Sequence, residues 1–194
     1  MLVGEGAEAR IYSVRVFGKR LLVKVREPKE YRVRELDRAI RKSRTRREAR
    51  IMSSLNKNGV PVPRIFAAGA FSIYMERVDG KLLKDMRRRG GAMRRAGEIL
   101  AKMHGLGIVH GDFTPANIIA NGSDVRVIDF GLSDYSSGDE EKAVDLLLMK
   151  RAVPARSYRA FRDSYLAHSK DGKRILGRLA GIELRGRYQT RTLE

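Results

Sequence analysis

The sequence predicts an α+β chain in two lobes, a small, mostly β lobe followed by a mostly helical one, with a cleft between them. Three observations carry this expectation. Short apolar stretches at residues 11–17 and 21–25 flank Gly18-Lys19, the signal of a β-hairpin. Beyond Gly80 the period changes, and Met93, Ala96, Leu100 and Met103 recur at spacings of three, four and three, the stripe of an amphipathic helix. Residues 140–182 then read as helical throughout, with Leu146-Leu147-Leu148 as their most buried segment.

The remaining elements follow in order. Residues 31–57 lack strand alternation and are rich in Arg, Glu, Leu and Ala, which predicts one or two helices ending at Asn58-Gly59. Pro61 and Pro63 hold the next stretch extended, before strands at 65–68 and 71–77. The lobe boundary falls just before Gly80, giving lobes of residues 1–78 and 79–194. The striped helix stops at Gly105 or Gly107, and short strands follow at 117–120 and 125–128.

Composition narrows the function classes. A chain of 194 residues with 42% apolar and 33% charged residues can bury a core of its own. It has no run of about 18 apolar residues, and MLVGEGAEAR lacks a signal-peptide layout, so the expected location is cytoplasmic, without a membrane. Cysteine is absent and the three histidines are scattered, which excludes disulfide scaffolds and structural zinc. The 41 basic and 23 acidic residues give +18, unevenly placed: residues 1–97 hold 26 basic against 10 acidic, the rest 15 against 13. Such a cationic half attracts nucleic acid or an acidic partner; the alternative is a set of solvated helix faces.

Four groups of residues carry chemistry in one order. Gly4-Glu5-Gly6-Ala7-Glu8-Ala9 opens the first hairpin, where small residues would let the backbone lie over nucleotide phosphates; an ordinary glycine turn is the alternative. Lys24 lies within a short apolar strand and needs a counter-charge if it faces inward, from phosphates and a helix carboxylate. Glu48 is the best candidate, being the only acid between Arg38 and Met75. In His110-Gly111-Asp112-Phe113-Thr114-Pro115-Ala116-Asn117, a single turn can place the Asp112 carboxylate at an incoming hydroxyl and the Asn117 amide oxygen on a metal. Asp129-Phe130-Gly131 supplies a second oxygen ligand for Mg²⁺, and His110 is read as a packing residue. This is the order of parts in a protein-kinase-like phosphotransferase. In that layout the backbone of Glu76 and Val78, at a strand end, would form the hinge that meets adenine; a plain strand end is the alternative.

With these residues in hand, the sequence resembles the small atypical kinase of the KEOPS complex, which takes part in making threonylcarbamoyladenosine on tRNA. The resemblance spans almost the whole chain. Its further details are Pro28-Lys29-Glu30-Tyr31-Arg32 with Leu36-Asp37 downstream, Arg47-Glu48-Ala49, the HGD form of the catalytic loop, and Arg185-Gly186-Arg187. It implies ATP binding at Lys24, Glu48 as the partner of that lysine, a catalytic role for Asp112, and Mg²⁺ or Mn²⁺ at Asn117 and Asp129. Asp145 looks like the helix aspartate that braces the catalytic loop, with a capping or solvent role as the alternative. The family implies autophosphorylation and ATPase activity within KEOPS, contact with the threonylcarbamoyl-transferring subunit, and tRNA nearby.

Departures from larger kinases bear on the substrate. Only residues 132–139 separate Gly131 from the next helix, no Ala-Pro-Glu follows, and Thr114 stands where a lysine is usual, so an extended peptide-docking segment does not fit. The other readings are a RIO-type kinase, which would carry a longer N-terminal region, and a noncatalytic basic RNA-binding pseudokinase, against which Lys24, Asp112, Asn117 and Asp129 argue.

Overall fold

The computed structural model describes residues 1–191 except Ala7, Phe17 and Arg88, with the backbone alone for 186–191. The chain forms two compact units. The first comprises Met1–Asp79 with Ile128–Gly131, and the second Gly80–Val127 with the residues from Leu132 onward.

In the first unit, β1 (Leu2–Glu5), β2 (Arg10–Val16), β3 (Lys19–Val25), β4 (Ile65–Ala68) and β5 (Ser72–Glu76) form an antiparallel sheet in the order β1-β2-β3-β5-β4. Strand β1 is an addition to the expected set. The β2–β3 hairpin closes with Val16 opposite Lys19, and Gly18 takes the left-handed φ of 75° that such a turn requires. Helix α1 (Arg34–Lys57) is one continuous helix packed against β4 and β5. It ends at Asn58, where Gly59 has a φ of 65°. Its buried stripe, Asp37, Thr45, Glu48, Ile51, Met52 and Leu55, is polar in its first half and apolar in its second. Apolar burial therefore anchors its C-terminal half, and charge its N-terminal half.

In the second unit, β6 (Lys81–Leu82), β8 (Ile118–Asn121) and β9 (Asp124–Val127) form a sheet in the order β6-β8-β9, and β7 (Ile108–Val109) pairs with β10 (Asp134–Tyr135). Its helices are α2 (Gly90–Gly105), α3 (Asp139–Ala152), α4 (Ala155–His168) and α5 (Gly172–Arg191). The stretch expected to be helical throughout is made of three helices. Pro154, which cannot extend α3, and the Ser169-Lys170-Asp171 connection divide it. Leu146 and Leu147 are buried but Leu148 is only half-buried; Phe161, Tyr165 and Ile175 of the later helices are fully buried.

Helices α2 and α4 touch backbone to backbone. A Cβ on Gly97 would overlap the Phe161 carbonyl oxygen and lie 2.9 Å from the Tyr165 nitrogen. Glycine is needed there for space, not for backbone conformation. Among the described residues, no helix is long and apolar enough to cross a membrane.

Candidate active-site residues

In the first unit, the alternation of β3 turns Lys24 and Arg26 to one side of the sheet, where both are buried, at 6% and 3% exposure. The carboxylate of Glu48 reaches them from α1. Its Oε1 is 2.7 Å from Lys24 Nζ and its Oε2 is 2.7 Å from Arg26 Nη2. Arg26 was not singled out in the sequence, although its position two residues after Lys24 was the available signal. The Arg26 Nη1 donates to Thr45 Oγ1 at 3.4 Å, while its Nε is buried without a hydrogen-bond partner among the described residues.

Lys24 Nζ also lies 2.7 Å from Asp129 Oδ1. Asp129 is half-exposed and has a φ of 61°, a left-handed conformation uncommon for a residue other than glycine. The Gly131 nitrogen donates to the same Oδ1 at 3.3 Å, and a Cβ at Gly131 would lie 3.2 Å from that oxygen. Lys24, Glu48 and Asp129 therefore meet in this unit, two carboxylates balancing two cations.

The glycine-containing segment lies between β1 and β2, tied by the Gly6 nitrogen donating to the Ala9 carbonyl at 3.0 Å. Added Cβ atoms at Gly4 and Gly6 would make only ordinary contacts, and neither residue has a positive φ, so the fold itself does not demand glycine at either. Glu5 pairs with Arg10, and Glu8 with Arg44, which holds the Glu8 carboxyl below the ordinary range. Ala7 lies outside the described residues. At the end of β5, the Glu76 nitrogen donates to the Arg64 carbonyl at 2.8 Å. Val78 follows, half-buried and outside the strand.

In the second unit, a separate set of bonds shapes the loop carrying Asp112. Gly111 has a φ of 79°, and a Cβ there would lie 2.5 Å from the Leu132 carbonyl oxygen, so only glycine fits. The loop is suspended from Asp145 of α3, which is fully buried: Oδ2 accepts the His110 nitrogen at 2.7 Å and Oδ1 the Gly111 nitrogen at 2.9 Å. His110 is buried edge-on to Phe113, and its Nδ1 accepts the Asp112 nitrogen at 3.2 Å. Asn117 Nδ2 donates to the Asp112 carbonyl at 2.9 Å and to its Oδ2 at 2.8 Å. This fixes the carboxylate and turns the amide oxygen of Asn117 away from it.

A chain of hydrogen bonds leads to Asp145 from the far side. Ser169 bonds the Tyr165 hydroxyl, which is 2.8 Å from His104 Nδ1, while His104 Nε2 lies 3.2 Å from Asp145 Oδ2. Burial, outweighing the neighbouring Asp145, holds the His104 pKa below its usual value. Burial likewise pushes the Tyr165 hydroxyl up to about 12. The imidazole is therefore neutral, with Nε2–H donating to the carboxylate and Nδ1 accepting from tyrosine. The histidine and tyrosine were missed because 41 and 61 residues separate the partners of these contacts.

The basic clusters are less uniform than their sequence suggests. Arg41 is engaged by Asp37 at 2.6 Å and lies over the Phe71 ring, and Arg44 pairs with Glu8, whereas Lys42, Arg46 and Arg50 are exposed at four-residue spacing along one face of α1. Arg87 and Arg89 precede α2, and Arg88 lies outside the described residues. Arg95 pairs with Glu98, and Arg185 with Glu140 at 2.6 Å. Arg185-Gly186-Arg187, named above for the resemblance, lies within α5. The Arg187 side chain is outside the described set. No group of three or more His, Asp or Glu side chains among the described residues converges on a metal position.

Comparison with known proteins places these residues in a family context. Residues 12–153 match the RIO domain family. The chain is 36% identical to the KEOPS complex subunit Bud32 of Pyrococcus abyssi, covering 98% of this chain and 97% of that protein. It is 36% identical to a probable serine/threonine-protein kinase BUD32 homolog of Archaeoglobus fulgidus, covering 98% of each. It is 37% identical to a probable bifunctional tRNA threonylcarbamoyladenosine biosynthesis protein of Methanobrevibacter smithii, over 96% of this chain but only 36% of that longer protein. In fold, it resembles the Rio2 kinase of Chaetomium thermophilum, solved as an ADP/Mg²⁺-phosphoaspartate complex, with a TM-score of 0.68 at 19% identity, covering 97% of this chain and 70% of that one.

Proposed function

The chain belongs to the Bud32 family and to the RIO-domain family, and on that footing we propose that it is an ATP-dependent atypical serine/threonine kinase with ATPase activity, acting in the KEOPS assembly in tRNA threonylcarbamoyladenosine synthesis. The single observation that carries the catalytic reading is the meeting of Lys24 with Glu48 and Asp129, residues 24 and 105 positions away in the sequence. A buried ammonium held between two carboxylates suits a phosphate clamp, fixed in place before nucleotide arrives. Residues 4–9 would cover the phosphates, since the fold leaves the glycines at 4 and 6 without an internal reason to be there. Glu76 and Val78 would present backbone groups to adenine.

Asp112 accepts the proton of the attacking hydroxyl as its oxygen bonds the γ-phosphorus. The bond from that phosphorus to the β–γ bridging oxygen breaks, and ADP leaves; with water as attacker the products are ADP and phosphate. Asn117 holds the Asp112 carboxylate still through its amide nitrogen. Its amide oxygen and the Asp129 carboxylate are hard donors that fit Mg²⁺, and would hold it in each unit. When bound, the ion neutralises charge on the phosphates. Lys24→Met, Asp129→Ala and Asp112→Asn should each lower Mg-ATP turnover by about 100-fold or more while leaving a folded protein by circular dichroism. Wild-type turnover in a folded variant would overturn the assignment.

The partners proposed are the threonylcarbamoyl-transferring subunit, other KEOPS subunits and tRNA, in the cytoplasm. Supporting the first is the longer bifunctional relative, of which this chain matches about a third. For tRNA, the face bearing Lys42, Arg46 and Arg50 is better suited than the full arginine cluster, because Arg41 and Arg44 are already paired. Neutralising about four to six phosphates gives a log–log salt slope of roughly minus three to minus five. Reversing Lys42, Arg46 and Arg50 to glutamate should weaken tRNA binding and flatten that slope in filter-binding assays, whereas an unchanged slope excludes this face.

A further inference from the structure

Arg26 takes no part in the transfer proposed for Asp112, yet it is built into the same cluster as Lys24, and packing alone does not account for it. It is 3% exposed, and its Nε is buried without a hydrogen-bond partner among the described residues. Burying a cation with one donor unsatisfied costs stability, and a buried ionic cluster stabilises a fold no better than apolar side chains of similar volume. What Arg26 does secure is one atom. Its Nη2 is 2.7 Å from Glu48 Oε2. The Thr45 hydroxyl, which donates to the Arg41 carbonyl at 2.8 Å, accepts Arg26 Nη1 at 3.4 Å and so helps to aim the guanidinium.

That atom controls how many donors Lys24 has to offer. An ammonium has three N–H donors. Glu48 Oε1 and Asp129 Oδ1 each take one, both at 2.7 Å, which leaves the third for a nucleotide phosphate. Glu48 is itself only 2% exposed, so its second oxygen also needs a partner within the protein, and Arg26 is that partner. Without Arg26, the cation left to that oxygen in the cluster is Lys24, and a carboxylate turning both oxygens to the ammonium takes the third donor. Charge points the same way. Lys24 and Arg26 balance Glu48 and Asp129; with Arg26 removed the cluster carries one negative charge in excess and repels an anionic phosphate chain. The two cationic heads also converge on one residue, since a Cβ at Gly131 would lie 3.4 Å from Lys24 Nζ and 3.6 Å from Arg26 Nη2. Both cations therefore stand beside the Asp129-Phe130-Gly131 segment.

We infer that Arg26 is a positioning residue for nucleotide binding: by holding Oε2 of Glu48 it confines that carboxylate to one hydrogen bond with Lys24 and keeps an ammonium donor for the phosphates. This rests on the reading of Lys24 as the phosphate clamp. Arg26 acts through Glu48 and Lys24, without touching the nucleotide.

The test is calorimetric titration of the full chain with ADP and, separately, with adenosine, in buffer containing EDTA so that no metal ion contributes. Wild type should bind ADP more tightly than adenosine, the difference being the phosphates. Arg26→Met should weaken ADP by about tenfold or more, the factor of one hydrogen bond to a charged group, and leave adenosine within about twofold of wild type. Arg26→Lys, which keeps a cation for Glu48, should bind ADP more tightly than Arg26→Met. Both variants should be folded by circular dichroism, because Glu48 keeps Lys24 as its partner. Arg38→Met, which removes an exposed charge from α1, should bind ADP as wild type does and so separates position from net charge. If wild type shows no preference for ADP over adenosine, the phosphate clamp itself fails and the inference falls with it. If wild type has that preference, the inference alone is overturned when Arg26→Met binds ADP equally well, when it loses adenosine to the same degree, when Arg26→Lys recovers nothing, when Arg38→Met weakens ADP as much, or when neither Arg26 variant folds.

Discussion

In the first unit the Glu48 carboxylate is wedged between two buried cations, Lys24 and Arg26; in the second, the Asp145 carboxylate is wedged between two backbone amides and a neutral imidazole. Both carboxylates are almost wholly removed from water, at 2% and 0% exposure. The first is stabilised by full opposite charges on side chains, the second by partial charges, two of them fixed in the backbone. Removing Glu48 strands the Arg26 cation and leaves Lys24 with Asp129 alone, whereas removing Asp145 strands only dipoles. The lesson is that equal burial of two acids does not mean equal dependence of the fold upon them.

The strongest way to break the comparison is Glu48→Gln. With a neutral amide between Lys24 and Arg26, urea unfolding should show a loss of about 3–5 kcal/mol, the range for a buried pair left half-made. Adding Arg26→Met to that variant should recover part of it, and a double-mutant cycle reads the coupling. Asp145→Asn should lose less, about 2–3 kcal/mol, since one amide oxygen still accepts a backbone donor. Equal losses for the two variants would remove the distinction drawn here. Tyr165→Phe comes next, at about 1 kcal/mol for a neutral hydrogen bond.

Titration sharpens the contrast on the second side. The His104 pKa is lowered from 6.5 in the fold, so as pH falls below about 6.5 the unfolded chain takes up a proton that the native chain refuses. Native stability conferred by neutral His104 is therefore complete above that pH and declines as pH falls toward the lowered folded value. Urea midpoints between pH 7.5 and 5 should fall more steeply in wild type than in His104→Gln. At the small end, Arg185→Ala breaks an exposed pair with Glu140, and its urea midpoint should match wild type.

Legibility from sequence followed the length of the reasoning needed. The β2–β3 hairpin, the extent of α1 and the stripe of α2 were readable because each is a local pattern of several residues. The Lys24–Glu48 contact was readable because there was no competing acid from Arg38 to Met75. Strands β6, β7 and β10 have two residues each and show no alternation to read. Arg26 was hidden among many arginines, although strand periodicity places it beside Lys24. The Ser169–Tyr165–His104–Asp145 chain had no local signature, since three elements distant in sequence must pack before its members touch.

The closeness of α2 and α4 at Gly97 has an evolutionary consequence. Tyr165 lies one turn beyond Phe161 on α4, and His104 two turns beyond Gly97 on α2, so the spacing that glycine permits is the spacing at which tyrosine reaches histidine. Any side chain at 97 must move the two helices apart before anything else can adjust. That motion lengthens the contact at the other end, and with it the support beneath the Asp112 loop. A lineage that replaces Gly97 must therefore accommodate a changed spacing at positions 104 and 165, which makes a residue with no side chain and no chemistry costly to exchange.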